Sequence, residues 1–83
     1  MLSVSSLANA VLGTRLRIAS LGLDAKAAAW LGAVGLAEGE QVVVLRRAPL
    51  GGPLHIRTAS GGQFAIAREL ACSIACEPAP EIA

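Results

Sequence analysis

Residues 40–66, EQVVVLRRAPLGGPLHIRTASGGQFAI, decide the fold of this 83-residue chain. Three short apolar stretches are separated by two loops, each of which contains a Gly-Gly pair. Short apolar stretches joined by glycine-rich turns are typical of antiparallel hairpins. The first stretch, Glu40–Ala48, has four consecutive apolar residues at its centre. That run leaves no single polar face and predicts a strand covered on both sides, as in a small barrel.

The next two stretches alternate between polar and apolar residues, which predicts strands with one buried face. They are Pro53–Thr58 and Gln63–Ile66. The alternation directs Leu54, Ile56, Phe64 and Ile66 inward, and it directs His55 and Arg57 outward. The segment therefore predicts three neighbouring strands that share one apolar interior.

Further elements follow on either side of this segment. The alternation in Arg15–Leu21 predicts a strand, and Asp24 is a suitable N-cap for a helix over Ala25–Val34, with Trp30 on an apolar stripe that we expect in the core. After the segment, Ala67–Ala71 fits one helical turn and Ser73–Glu77 a closing strand. These elements predict a mainly β fold, a small SH3-like five-stranded barrel with one short helix after the first strand.

Composition limits the chain to one small domain, which we assign to residues 5–77, followed by a flexible C-terminal tail over residues 78–83. The chain has one histidine, and no nucleophile or phosphate-binding motif occurs, so we expect no enzyme activity and no cofactor. The net charge of +1 gives no basic field for nucleic acid. Uncharged stretches fall short of the ~20 residues that span a bilayer, so we expect a soluble, cytoplasmic protein.

The two cysteines, Cys72 and Cys76, are predicted to be reduced and packed as small apolar residues. On one extended strand they would lie roughly 13 Å apart, beyond the reach of a disulfide. A helical turn would bring them together, but no further Cys or His follows to complete a zinc site.

A metal site is not expected from the single histidine, His55. The carboxylates that could join it lack ligand spacing: Glu38, Glu40 and Glu69. Four arginines could group on one side of the molecule, although a solvated face is the simpler explanation: Arg46, Arg47, Arg57 and Arg68.

The strongest candidate for a binding surface is the loop between the first two strands of the segment. Its turn residues fix the backbone and leave Leu50 without a route into the core. We therefore predict a partner-binding surface made of this loop and the adjoining outward residues: Pro49, Leu50, Gly51, Gly52, Pro53, His55 and Arg57.

Three motifs in this order resemble the FeoA family, the ferrous iron transport protein A family. They are Gly35-Leu36-x-x-Gly39-x-x-Val42-x-Val44, Ala48-Pro49-Leu50-Gly51-Gly52-Pro53-Leu54-x-Ile56 and Ala67-Arg68-Glu69-Leu70-Ala71. The resemblance covers roughly Ser5 to Glu77, and the first two motifs are shared with the SH3-like domain at the end of iron- and manganese-dependent repressors. The chain departs from the family where it has Gly52 in place of an acidic residue, and where its helix is alanine-rich rather than arginine-rich.

The resemblance implies a small cytoplasmic accessory protein of bacterial ferrous iron uptake. Its partner would be the ferrous iron permease FeoB, which has a GTP-hydrolysing domain, and it would reach the membrane only through that partner. One alternative is a metal-binding or metal-sensing module like that of the repressors, and another is a general SH3-like adaptor. A homo-oligomer is possible under each of these hypotheses.

Overall fold

The computed structural model describes residues 5–79, which form one six-stranded antiparallel sheet with two short α-helices and a 3₁₀ turn. The strands lie in the order β1-β6-β2-β3-β4-β5. In chain order the elements are β1 (Ser5–Ser6), the 3₁₀ turn (Leu7–Asn9), β2 (Arg15–Leu21), α1 (Ala25–Ala33), β3 (Gln41–Arg47), β4 (Leu54–Thr58), β5 (Gln63–Ile66), α2 (Arg68–Cys72) and β6 (Ile74–Pro78).

One hydrophobic core joins the elements from both ends of the sheet. Leu7 beside β1 and Ile66 at the end of β5 belong to the same buried cluster, although β1 and β5 are the outermost strands. The sheet must therefore curve around this core. The mainly β prediction is confirmed, but the predicted count of five strands misses β1. That strand has only two residues, which pair with β6, and two residues show no alternation.

The inward and outward residues of the central strands are as predicted. Leu54 and Ile56 of β4 are buried, whereas His55 is half-buried and Arg57 is exposed. In β3 the run of apolar residues alternates in burial, because Val42 and Val44 are buried while Val43 and Leu45 are half-buried. The strand is thus covered fully on its inner face and only partly on its outer face.

Helix α1 begins at the predicted cap. The Asp24 carboxylate accepts a hydrogen bond from the Ala27 N–H at 2.8 Å, and Leu31 is the only buried residue of the helix. The prediction that Trp30 belongs to the core is wrong, since 60% of it is exposed. The helix contacts the core at its C-terminal end, where Gly35 at φ +100° reverses the chain and the Leu36 N–H bonds to the Leu31 carbonyl.

The last strand is one residue later than predicted. Pro78, which we assigned to the tail, lies opposite Leu16 in the β2–β6 ladder, and the Ala79 N–H donates to the Arg15 carbonyl at 3.2 Å. The rest of the predicted tail, residues 80–83, lies outside the described residues, so the domain boundary stays a prediction. Neither α1 nor α2 is long and apolar enough to cross a membrane.

Candidate functional site

The loop between β3 and β4 is a tight turn that holds its leucine away from the protein. The Ala48 N–H donates to the Pro53 carbonyl at 3.0 Å, and the Gly52 N–H donates to the Pro49 carbonyl at 3.1 Å. Leu50 is the only non-glycine residue among residues 5–79 with a positive φ, +61°, and its side chain is fully exposed. The turn therefore presents an apolar side chain to solvent, as the sequence predicted.

Gly52 fixes the shape of this turn. A Cβ at this position would lie 2.8 Å from the Ala48 Cβ and 3.1 Å from the Pro49 carbonyl oxygen, so any larger residue would force the backbone apart. The acidic residue that the resemblance leads one to expect here would require a different turn. The position is thus occupied by glycine because the two arms of the loop approach each other closely.

Beside the loop lies a shallow, mainly apolar depression of about 350 Å³. His55 forms part of its wall, and its Nδ1 accepts a hydrogen bond from the Arg46 guanidinium at 3.1 Å. The lining residues are Arg46, Arg47, Ala48, Pro49, Pro53, Leu54, His55 and Ala65. The structure therefore brings together Pro49, Pro53 and His55 of the predicted surface.

Arg57 lies apart from this depression. It borders a second one, of about 300 Å³, together with Arg15 of β2 and Val43 of β3. The predicted surface is therefore divided between two depressions on the outer face of the sheet. That both belong to a partner-binding surface remains a prediction.

The arginines that could group on one side do so only in part. The Arg46 and Arg47 side chains line the depression beside the loop, where Arg47 also donates to the Ala10 carbonyl. The side chain of Arg68 lies beside Gly51, whereas Arg57 lies in the second depression. Three of the four arginines thus surround the loop.

Two exposed apolar residues beside β3 were missed by the sequence reasoning. Val11 is 72% exposed and Leu12 is 47% exposed. The Gly13 N–H donates to the Val44 carbonyl in the middle of β3, and the Arg47 side chain donates to the Ala10 carbonyl, which places this segment alongside β3. The segment has no periodicity, and only its position before Gly13-Thr14 could have indicated an exposed turn.

The cysteines lie in different environments, and both are free thiols. Cys76 is buried on the inner face of β6, and burial raises the pKa of its thiol to about 11. The prediction that Cys72 is packed is wrong, because Ala71 takes the buried position of α2 and Cys72 faces solvent. Within residues 5–79, His, Cys, Asp and Glu side chains do not come together in groups of three or more that could hold a metal ion.

Solved structures with similar folds include iron-transport proteins and a repressor. The FeoA iron uptake regulatory protein is 27% identical, with 90% of this chain and 96% of that chain aligned and a TM-score of 0.78. The zinc complex of FeoA from Stenotrophomonas maltophilia, a prokaryotic SH3 domain protein, is 25% identical, with 86% and 87% aligned and a TM-score of 0.69.

A manganese-dependent transcriptional repressor aligns over 95% of this chain and 44% of its own, at 15% identity and a TM-score of 0.82, and this shows a shared fold alone. No curated protein matches the chain. These structures confirm the SH3-like fold. The FeoA domain matches residues 5–78, nearly the whole chain, so the protein belongs to the FeoA family and has a role in ferrous iron transport.

Proposed function

We propose that this protein is a cytoplasmic accessory protein of bacterial ferrous iron uptake, which contacts the permease FeoB through the loop Ala48–Leu54. Family membership supports a role in the Feo system. The S. maltophilia relative is put forward as a ferrous iron transport activating factor. The protein would act by contact rather than by catalysis.

The observation that carries the proposal is the conformation of Leu50. Its side chain is fully exposed, and its backbone adopts a left-handed conformation, which costs a residue with a Cβ about 1–2 kcal/mol. A single exposed leucine is common on protein surfaces, but strained backbone geometry clusters at functional sites. Here the strain occurs beside a mainly apolar depression, and this combination favours a contact surface.

The apolar area of Leu50 sets its expected contribution to the free energy of binding. Full burial of a leucine side chain stabilises a complex by about 1.5–3 kcal/mol. Loss of this contribution corresponds to roughly a 10- to 100-fold change in affinity. Apolar anchors near the centre of an interface are the residues that alanine substitution affects most.

The test compares Leu50→Ala and Leu50→Glu with Trp30→Ala, a matched variant that removes a larger exposed apolar side chain from a different element. The dissociation constant for full-length FeoB in lipid nanodiscs and ferrous iron uptake in complemented cells are measured for each. We expect the Leu50 variants to bind FeoB roughly 10- to 100-fold more weakly. Their melting temperature should stay close to that of the wild type.

Two results would contradict the proposal. A fall of several degrees in the melting temperature of Leu50→Ala would show that Leu50 packs in the core. Unchanged uptake and affinity in the Leu50 variants, together with weaker binding by Trp30→Ala, would place the contact surface on α1.

The zinc complex of the S. maltophilia relative favours a second candidate, a metal-binding module. The chain offers one imidazole, and its Nδ1 is engaged by Arg46. Titration with ferrous and zinc ions, monitored by thermal stability, separates the two candidates. A stoichiometric, submicromolar complex that His55→Ala abolishes would favour metal binding.

A further inference from the structure

Two arginines stand in one row on the outer face of the sheet. Arg15 of β2 lies opposite Val43 of β3, and Val43 lies opposite Arg57 of β4. Directly paired residues of antiparallel strands project from the same face. Both arginines are exposed and Val43 is half-buried, so two guanidinium groups stand on either side of an apolar floor.

These arginines have no carboxylate partner among the described residues. The only salt bridge within residues 5–79 joins Arg17 to Glu77 at 2.6 Å. Strands β2 to β5 contain no Asp or Glu, so the row has no acidic neighbour on its own strands. The guanidinium groups of Arg46 and Arg47 are bound to His55 and to the Ala10 carbonyl, which distinguishes them from the pair in the row.

The row borders the depression of about 300 Å³ described above. Adjacent strands lie about 4.8 Å apart, so the Cα atoms of Arg15 and Arg57, two strands apart, are separated by roughly 10 Å. Two long side chains at that separation can turn toward one anion above Val43. Gln41, which lies two residues before Val43 on the same face of β3, also borders the depression and carries a side-chain amide.

We propose that Arg15 and Arg57 form a carboxylate-binding subsite, which takes an acidic side chain of the protein partner. The inference rests on the proposed function, because it assigns a charge to the partner segment that binds beside the loop. Planar guanidinium groups match the two oxygens of a carboxylate, and complementary charge across an interface favours the correct partner.

The lining of the depression favours a carboxylate of a protein over a phosphate. Phosphate sites usually gather several backbone N–H groups at a glycine-rich loop or at the start of a helix. Here the strand backbone lies within the β2–β3 and β3–β4 ladders, and the Ala59 N–H beside them already donates to the Gln41 carbonyl. The depression therefore offers side-chain donors on an apolar floor.

The first experiment titrates the full chain with an acetylated, amidated triglutamate peptide. Nuclear magnetic resonance follows the arginine Nε–Hε signals and the Val43 amide. The same titration is carried out with a triglutamine peptide and with inorganic phosphate for comparison. We expect the signals of Arg15, Arg57 and Val43 to shift with triglutamate only. A shift of these signals with phosphate and not with triglutamate would overturn the assignment.

The second experiment measures FeoB affinity for Arg15→Gln, Arg57→Gln and Lys26→Gln, of which the last removes an exposed cation from α1. Each arginine substitution should weaken binding about two- to fivefold in low salt, with a smaller effect in high salt, and Lys26→Gln should have no effect. An equal loss in Lys26→Gln would mean that net charge alone matters and would overturn the subsite.

The two proposals fail in different ways. Normal FeoB binding by Arg15→Gln and Arg57→Gln, with binding lost in Leu50→Glu, would remove the subsite and keep the proposed function. Binding of triglutamate at the arginine row without any binding of FeoB would remove the proposed function and keep the subsite.

Discussion

At the scale of single residues, the loop Ala48–Leu54 depends on two positions with opposite requirements. Leu50 adopts a positive φ that glycine would accept more readily, yet it carries a large apolar side chain. Gly52 occupies the position where a side chain has no room. The loop is therefore shaped by the absence of a side chain at one position and by the exposure of one at the other.

We expect Gly52→Ala and Gly32→Ala to change the free energy of unfolding in opposite directions. The Cβ added at Gly52 would meet the Ala48 Cβ at 2.8 Å, and such overpacking lowers stability by about 1–3 kcal/mol. The Cβ added at Gly32 in α1 would meet the Ala37 Cβ at an ordinary 4.0 Å, and replacing a helical glycine by alanine raises stability by up to about 1 kcal/mol. Denaturant unfolding of both variants measures these changes. Equal stability of Gly52→Ala and wild type would show that the loop relaxes without cost.

The sequence predicted the exposure of Leu50 and missed the exposure of Trp30. The reason is that local contacts determine the first and tertiary contacts determine the second. Leu50 is exposed because of its turn neighbours, which are adjacent in sequence. The exposure of Trp30 depends on how α1 lies against the core, which is a tertiary property. An apolar residue every three or four positions marks a helix face, but it does not show how much of that face is covered.

At the scale of secondary-structure elements, α1 is the least anchored part of the fold. Its carboxylate cap at Asp24 and its single buried side chain, Leu31, lie near opposite ends of the helix. The other residues of α1 are half-buried or exposed. Elements with few buried apolar contacts open locally at lower free energy than the core strands.

We therefore expect the amides of α1 to exchange with deuterium faster than those of β3 and β4. Loss of the cap in Asp24→Ala costs about 1 kcal/mol, which corresponds to roughly fivefold faster exchange in α1. The opening free energies of the α1 and β3 amides in the wild type are the discriminating comparison, since global unfolding also releases the cap and accelerates β3 exchange in Asp24→Ala. Equal opening free energies for α1 and β3 would mean that α1 opens only when the whole protein unfolds.

Among the elements, the central strands and the cap of α1 were predictable, whereas β1 and the two depressions were not. Strands β2 to β5 show their alternation or apolar runs within single stretches of sequence. The pairing of β1 with β6 joins residues about seventy positions apart, and the row Arg15–Val43–Arg57 requires the register of three strands. The local sequence pattern does not specify which residues of distant strands lie opposite each other.

At the scale of the whole molecule, the fold is held by one small core of mainly aliphatic side chains. A single salt bridge, between Arg17 and Glu77, joins β2 to β6 within residues 5–79. The Arg17 side chain of this pair is 41% exposed, so solvent screens the interaction to about 1 kcal/mol, and the free energy of unfolding depends chiefly on the core. Cys76 belongs to that core and is its one titratable member.

We expect the free energy of unfolding to decrease as the pH rises from about 9 toward 11. Burial raises the pKa of Cys76 from 9.0 to about 11, so the unfolded chain loses this proton first. The stabilisation is complete below pH 9, and the difference in pKa corresponds to a loss of about 2–3 kcal/mol by pH 11.

Urea unfolding under reducing conditions at several pH values measures this dependence, with Cys76→Ala as the comparison. The variant will be less stable at neutral pH because of the cavity, but its stability should change less between pH 9 and 11. Parallel curves for the two proteins would assign the pH dependence to other groups.

The contrast between the two thiols makes the unmodified protein suitable for site-selective labelling. Cys72 faces solvent at the end of α2, whereas Cys76 is buried and holds its proton to about pH 11. A maleimide or a spin label at neutral pH will therefore react at Cys72 alone, because only an accessible thiolate attacks such reagents. A fluorophore at Cys72 can therefore test the proposed binding to FeoB without any engineered cysteine.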